Sequence, residues 1–366
     1  TLTATYSSNN EQLGPQEKSR YLLQLELELE RINKNINITN KFYNVPIEKA
    51  SSENAQVIKK SELIMGRIEK HFNRAISASS INTYLRCPLD FYYRYIAELG
   101  EEKSIEEDIE SQQFGSLIHN TLEKLFDKHA LLDSLGNENV PKPKALEESD
   151  LNQMMLDYKE LLYTEFLNYF DNESQLFLEG KNLVSYTIAQ DTIENTIKKE
   201  LEFLKKQSEP FYIVQVEAKK EISLDVLVSG QKKTIHFKGY IDRIDKIGDA
   251  YRVIDYKSGK VKEADVKFKL KDNDLLVSFT HCKHAVQLAL YSLFFKHSFG
   301  AYPNEAIIYS LTDVSKMDHK LSYANHNLTD ICELFETFIE EVLNEIFDES
   351  SSVEHNEKSK YCNYCQ

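Results

Sequence analysis

The sequence predicts an α/β fold: a mixed central β-sheet flanked by helices, with a helical insertion ahead of most of the sheet. Three observations carry this reading. Residues 211–257 are alternating or β-rich, in segments such as FYIVQVEAKK, EISLDVLV, KKTIHFKGYIDRID and AYRVIDYK, which predict a meander of about four strands. Helix-periodic stretches precede it, at 114–129 and 150–207. Beyond it a helix at 285–297, AVQLALYSLFFKH, is followed by one more strand at 304–311, NEAIIYSL.

In chain order, residues 1 to about 75 read as a tail: GPQEKSRYLLQLELELERI enters a short helix, and a polar connector follows. SASSINTYLRCPLDFYYRYIAEL opens a new unit, with Ser77, Ser79 and Ser80 as N-cap candidates ahead of helical apolar spacing. In FGSLIHNTLEKLFDKH, Phe114, Ile118, Leu122 and Leu125 form an apolar stripe. The helical insertion spans about 125–210, interrupted near Asp171-Asn172. A long helix begins at about Thr329, and SSSVEHNEKSKYCNYCQ closes the chain irregularly. The expected domains are therefore 1–75 and 76–366.

The 366 residues suffice for one large core or two modest ones, and 41% hydrophobic with 28% charged residues is ordinary globular composition. No apolar run approaches the roughly 20 residues that span a bilayer, so no membrane partner is expected. Five irregularly placed cysteines do not form a secreted disulfide framework, and a cytoplasmic setting is expected. A chain that begins with Thr is expected to be processed or a piece of something longer. The net charge of −15 argues against nonspecific coating of nucleic acid but leaves room for local contact. The stretch Lys257–Lys271 carries six lysines against Glu263 and Asp265.

YIDRIDKIGDAYRVIDYKSGK, 240–260, reads as a hairpin with Gly248-Asp249 at the turn. Counting outward pairs Lys246 with Tyr251, Ile244 with Val253, and Asp242 with Asp255; Lys257 shares a face with Asp255. Directly opposed residues lie roughly 4.5–5.5 Å apart at Cβ, where like charges repel. A divalent cation between the carboxylates removes that repulsion, with the Tyr256 carbonyl as a further oxygen donor. A lysine beside such an ion orients a water or stabilises developing charge, which suits attack on a phosphodiester. Alone, Asp242 would be read as a surface residue.

The pattern D…DxK on a hairpin resembles the core of the PD-(D/E)XK nuclease superfamily. Its RecB-like and AddB-like branch has four motifs, which appear here in the same order. They are Gly115-Ser-Leu-Ile-His119, Gly239-Tyr-Ile-Asp242, Asp255-Tyr-Lys257 and Gln287-Leu-Ala-Leu-Tyr291. The resemblance covers roughly 76–366 and implies a restriction-endonuclease-like sheet. It also implies a Mg²⁺- or Mn²⁺-dependent deoxyribonuclease, with His119, Asp242, Asp255 and the Tyr256 carbonyl at the metal. Lys257 would be catalytic beside Asp242 and Asp255, and Gln287 and Tyr291 would bind DNA or position Lys257. Glu217 resembles the acidic residue some members carry on the first strand, and is equally readable as solvent-facing. Read alone, a helical His119 is structural, and Gln287 and Tyr291 pack a helix on the sheet.

The same branch often holds a [4Fe–4S] cluster, implied here at Cys87, Cys362 and Cys365, with the usual fourth ligand missing from this chain. Zinc at the same three cysteines is the alternative. Cys332 reads as core, while Cys282 between His281 and His284 offers a further zinc reading. Arg20, Gln24 and Leu25 resemble a late motif of superfamily-1 helicase folds. Residues 1–75 would then be the end of a helicase-like module, and the expected partners are DNA and a helicase subunit or helicase-like region. No Walker A loop occurs in the chain. The expected activity is exonuclease cleavage of single strands delivered by a helicase during double-strand-break repair; the alternative is a catalytically inactive DNA-binding scaffold.

Overall fold

The computed structural model describes residues 20–34, 57–99, 109–138, 144–313 and 316–356. The chain divides into two compact units, Thr1–Glu53 and Asn54–Gln366. In the first, helix α1 (Arg20–Ile32) carries Arg20, Gln24 and Leu25, and Gln24 donates to Glu28 one turn later.

The division falls at 53/54, and the segment that follows is bound into the second unit. Strand β1 (Ile58–Lys59) pairs with Ser352–Val353. The Lys60 ammonium donates to the carbonyls of Glu345, Ile346 and Asp348 at 2.8–3.1 Å, capping the last helix. Helix α2 (Glu62–Phe72) buries Ile68 and Phe72 in the main core.

The helical stretch from Ser77 is broken at Cys87 into α3 (Ala78–Arg86) and α4 (Pro88–Phe91), with a π-helical turn over Tyr92–Ile96. Pro88 disfavours helical geometry in the residue before it, and Cys87 is extended at φ −160°, ψ 111°. Helix α5 (Ser111–Asp127) leads to the insertion α6 (Glu148–Tyr169), α7 (Gln175–Leu178) and α8 (Gly180–Leu204). Asp171 and Asn172, both at positive φ, supply the expected interruption.

The expected four-strand meander is three long strands: β2 (Phe211–Val228), β3 (Gln231–Ile247) and β4 (Ala250–Lys257). Lys219-Lys220-Glu221 contains no turn residue, so β2 runs through it. The first real turn is Ser229-Gly230, where both residues take positive φ. After α9 (Leu275–His281) and α10 (Ala285–Phe299) come β5 (Glu305–Ser310), β6 (Asp318–Lys320), α11 (Leu328–Phe347) and β7 (Ser352–Val353). The five-stranded sheet has order β2-β3-β4-β5-β6. It is mixed because α9 and α10 make the crossover that sets β5 parallel to β4, while every other pair is antiparallel.

Helices cover both faces. One face packs mainly on α10 and α11, through residues such as Phe237, Ile244, Val253 and Ile308. The other packs on α5, α6 and α8, through Val216, Ile254, Tyr256 and Ile307. This accounts for the burial of both faces in β4 and β5.

Candidate active site

Gly248 at φ +55° makes the expected two-residue turn, and Ile247 pairs with Ala250. The ladder then runs as counted, through Lys246–Tyr251 and Ile244–Val253 to Arg243–Ile254, and ends one step before Asp242 and Asp255. There the Asp242 carboxylate replaces the backbone partner: its Oδ2 accepts the Tyr256 N–H at 2.6 Å. A second interruption lies on the other side of Asp242. Strands β2 and β3 pair at Val216–Arg243 and Ala218–Ile241, skipping the intervening position, where Glu217 takes φ +45°. That conformation is strained for a residue with a side chain. Glu217, Asp242 and Asp255 thus occupy one row across three adjacent strands, with the ladder opened on both sides of the middle carboxylate.

His119 joins the row from α5. Its Nδ1 lies 3.5 Å from Asp242 Oδ2, and ligand atoms of His119, Glu217 and Asp242 all fall within 4.8 Å of one another. Gly115, one turn earlier, faces the loop after β4: a Cβ there would stand 2.9 Å from Ser258 Oγ. Gly239 serves α10 in the same way, since a Cβ would stand 2.9 Å from the Phe294 ring. Both glycines of the two G-x-x-x-H and G-x-x-D segments therefore bring a helix close to the hairpin.

Asp255 is nearly buried and held from two sides. Gln287 Nε2 donates to its Oδ1 at 2.7 Å and to the Tyr291 hydroxyl at 2.8 Å. The Lys257 ammonium pairs with its Oδ2 at 2.6 Å. Gln287 and Tyr291 stand behind Asp255 rather than against Lys257, so the positioning expected for Lys257 falls instead on the carboxylate. The Lys257 side chain remains about one-third exposed.

The electrostatics fit a cation. Burial, then repulsion from Asp255 and Glu217, raises the Asp242 pKa well above the usual range, against the pull of the Tyr256 N–H. Burial, then Glu123 and Asp255, raises Glu217 to about 7. Burial lowers the pKa of His119, favouring the neutral imidazole that can ligate. One neutral imidazole and mutually repelling carboxylates form a donor set for a divalent cation, with room for water and phosphate oxygens to complete it. Glu123 escapes the motif reading, although its spacing four residues after His119 on α5 places it on the same helix face.

A pH dependence follows from Glu217. Between its ordinary value of 4.5 and about 7 the folded protein holds a proton that the unfolded chain releases, so the Glu217 contribution to stability falls as pH rises through that window. Metal binding has the opposite sign, because the carboxyl must lose that proton. Mn²⁺ affinity is expected to rise between pH 5.5 and 7.5, with proton release on binding; titration calorimetry in buffers of different ionisation enthalpy measures it. Affinity flat across that range would remove Glu217 from the donor set.

The cysteine expectations find no support among the described residues. Cys87 is fully buried with its Sγ 3.4 Å from His355 Nδ1. Cys362 and Cys365 lie outside the described residues. Cys332 is core, as expected, and Cys282 is buried with Sγ against the Asp265 carbonyl. Cys282 forms no three-ligand group with His281 and His284 among the described residues.

A solved structure described as "Crystal structure of SSO0001" has 16% identity, covering 62% of this chain and 84% of its own; its TM-score of 0.20 carries no argument. Residues 75–366, about four-fifths of the chain, match the PD-(D/E)XK nuclease superfamily. With the site laid out on its hairpin and two covering helices, and that match spanning all of it, the chain belongs to the PD-(D/E)XK nuclease superfamily.

Proposed function

We propose that this protein is a divalent-metal-dependent deoxyribonuclease of the RecB/AddB-like branch, which cuts single strands supplied by a helicase partner during double-strand-break repair. The observation that carries the chemistry is the row Glu217, Asp242 and Asp255, with His119 at one side and Lys257 at the other. In this reading His119, Asp242, Asp255 and the Tyr256 carbonyl hold the cation, and Glu217 joins them. The bound cation supplies Lewis acidity toward a phosphodiester and lowers the pKa of a water. Gln287, backed by Tyr291, fixes the Asp255 carboxylate. Lys257 donates from its ammonium to the attacking water or to phosphate oxygens as negative charge develops. Strand choice is supported by the four motifs in their branch order, and by the exposed lysines 260, 262, 267 and 269. These alternate along the loop after β4 with buried Val261, Val266 and Phe268. Such a row suits backbone phosphates.

The purified protein is expected to degrade linear single-stranded DNA with Mg²⁺, to stop with EDTA and to resume when Mg²⁺ is restored. Single-stranded RNA and duplex DNA are run alongside. Metal-dependent cleavage of RNA alone would overturn the substrate assignment. No cleavage of any polynucleotide, with DNA still retained in a gel, would overturn the enzyme reading in favour of a binding scaffold.

A further inference from the structure

Behind the candidate site, on the opposite face of the sheet, lies a buried charge network that the proposed reaction does not use. The Arg243 guanidinium is fully buried with Glu200 and Asp245, and Arg252 is nearly so. Arg243 Nη2 donates to Glu200 Oε1 at 2.7 Å and to Asp245 Oδ2 at 3.0 Å, and Arg252 Nε donates to Asp245 Oδ2 at 2.9 Å. The guanidinium of Arg243 also lies 4.6 Å from the centre of the Phe126 ring, and that of Arg252 lies 4.1 Å from Phe203. Glu200 comes from α8, so the network joins the helical insertion to the hairpin.

Buried ion pairs are poor stabilisers compared with well-packed apolar groups, so stability alone is a weak reason for four charges here. The remaining contact supplies another reason. Arg243 Nη1 donates to the Tyr256 hydroxyl at 3.0 Å. Every other polar contact of Tyr256 described above belongs to the candidate site. Its N–H donates to Asp242, its backbone hydrogen-bonds His119, and its ring meets the His119 ring edge-on at 5.7 Å and 84°. Tyr256 is thus held at three points, two of them at candidate metal ligands and the third at Arg243, which pairs with Glu200 of the insertion.

We propose that the Tyr256 side chain is a positioning element, anchored by the Arg243–Glu200 pair, through which the insertion α6–α8 sets the cation affinity of the site. This rests on the metal-site reading above. Groups that orient ligands from behind typically change metal affinity by 10- to 100-fold when altered. A phenol tethered at its hydroxyl fixes the plane of the Tyr256 peptide, and with it the Asp242 carboxylate and the His119 ring. Without the tether the ring is still packed, but the peptide and imidazole gain freedom that binding must then remove.

Tyr256→Phe deletes the tether alone, and Glu200→Gln removes the insertion's charge while keeping its shape. Mn²⁺ binding is read by electron paramagnetic resonance on the full chain without substrate, beside a urea unfolding curve. Both variants are expected to bind Mn²⁺ on the order of 10-fold more weakly. A lowered unfolding midpoint with unchanged Mn²⁺ affinity in Tyr256→Phe would make the network purely structural and overturn the proposal, whatever Glu200→Gln does to folding. Wild-type protein that takes up no Mn²⁺ would overturn the metal-site reading and this proposal together.

Discussion

Asp255→Ala is expected to eliminate cleavage, by about 10³-fold or more, while the protein stays folded and still binds DNA. The loss corresponds to roughly 4 kcal/mol of transition-state stabilisation, within the several kcal/mol a positioned cation supplies. Asp255 is held from two sides, between Gln287 Nε2 at 2.7 Å and the Lys257 ammonium at 2.6 Å. Its removal should not unfold the protein, because the charge it contributes opposes Asp242 and Glu217. The thermal midpoint of Asp255→Ala is therefore expected at or above that of wild type, the exchange of stability for function common at active sites. Single-turnover cleavage and calorimetry of the same preparation separate the two effects. An inactive variant that is also strongly destabilised would trace the lost activity to folding; one that keeps Mg²⁺-dependent cleavage would remove Asp255 from the mechanism.

Arg243→Ala is expected to give the largest stability loss, about 3–5 kcal/mol, the cost of leaving a buried charge without its partner. Asp245 keeps Arg252, so the penalty falls on Glu200. Burial already raises the Glu200 pKa, and Arg243 is the chief influence pulling it back. In the variant Glu200 should take up a proton on folding, so the deficit should shrink as pH falls toward the range where the unfolded carboxyl protonates. Urea midpoints at pH 5 and pH 8 measure this. Equal deficits at both values would mean that the loss comes from packing against Phe126 rather than from the stranded carboxylate.

The chemistry-bearing segments are legible in the order of the residues, because each rests on local geometry. Alternation and the Gly248-Asp249 turn fixed the hairpin register as far as Arg243–Ile254, and helical spacing placed Gln287 with Tyr291. The expected sheet between helices also holds, since both signals are periodicities of the backbone. Where a local rule was missing or overridden, the element differed. β2 ran through Lys219-Lys220-Glu221, Pro88 split the helix after Ser77, and the three-residue β6 left no periodic trace.

The rest depends on which strands and helices become neighbours in the folded chain. The positions of Glu217 and Asp242 are linked by β2–β3 pairing, and the strained φ of Glu217 appears only once that ladder forms. Gln287 meets Asp255 because the α9–α10 crossover returns to lie on β4 and β5. Glu200 meets Arg243 across 43 residues of chain, through docking of the insertion. A period of 2 or 3.6 states which face a side chain occupies. It does not state what lies opposite that face, and at this site the opposite partners set the charge and the strain.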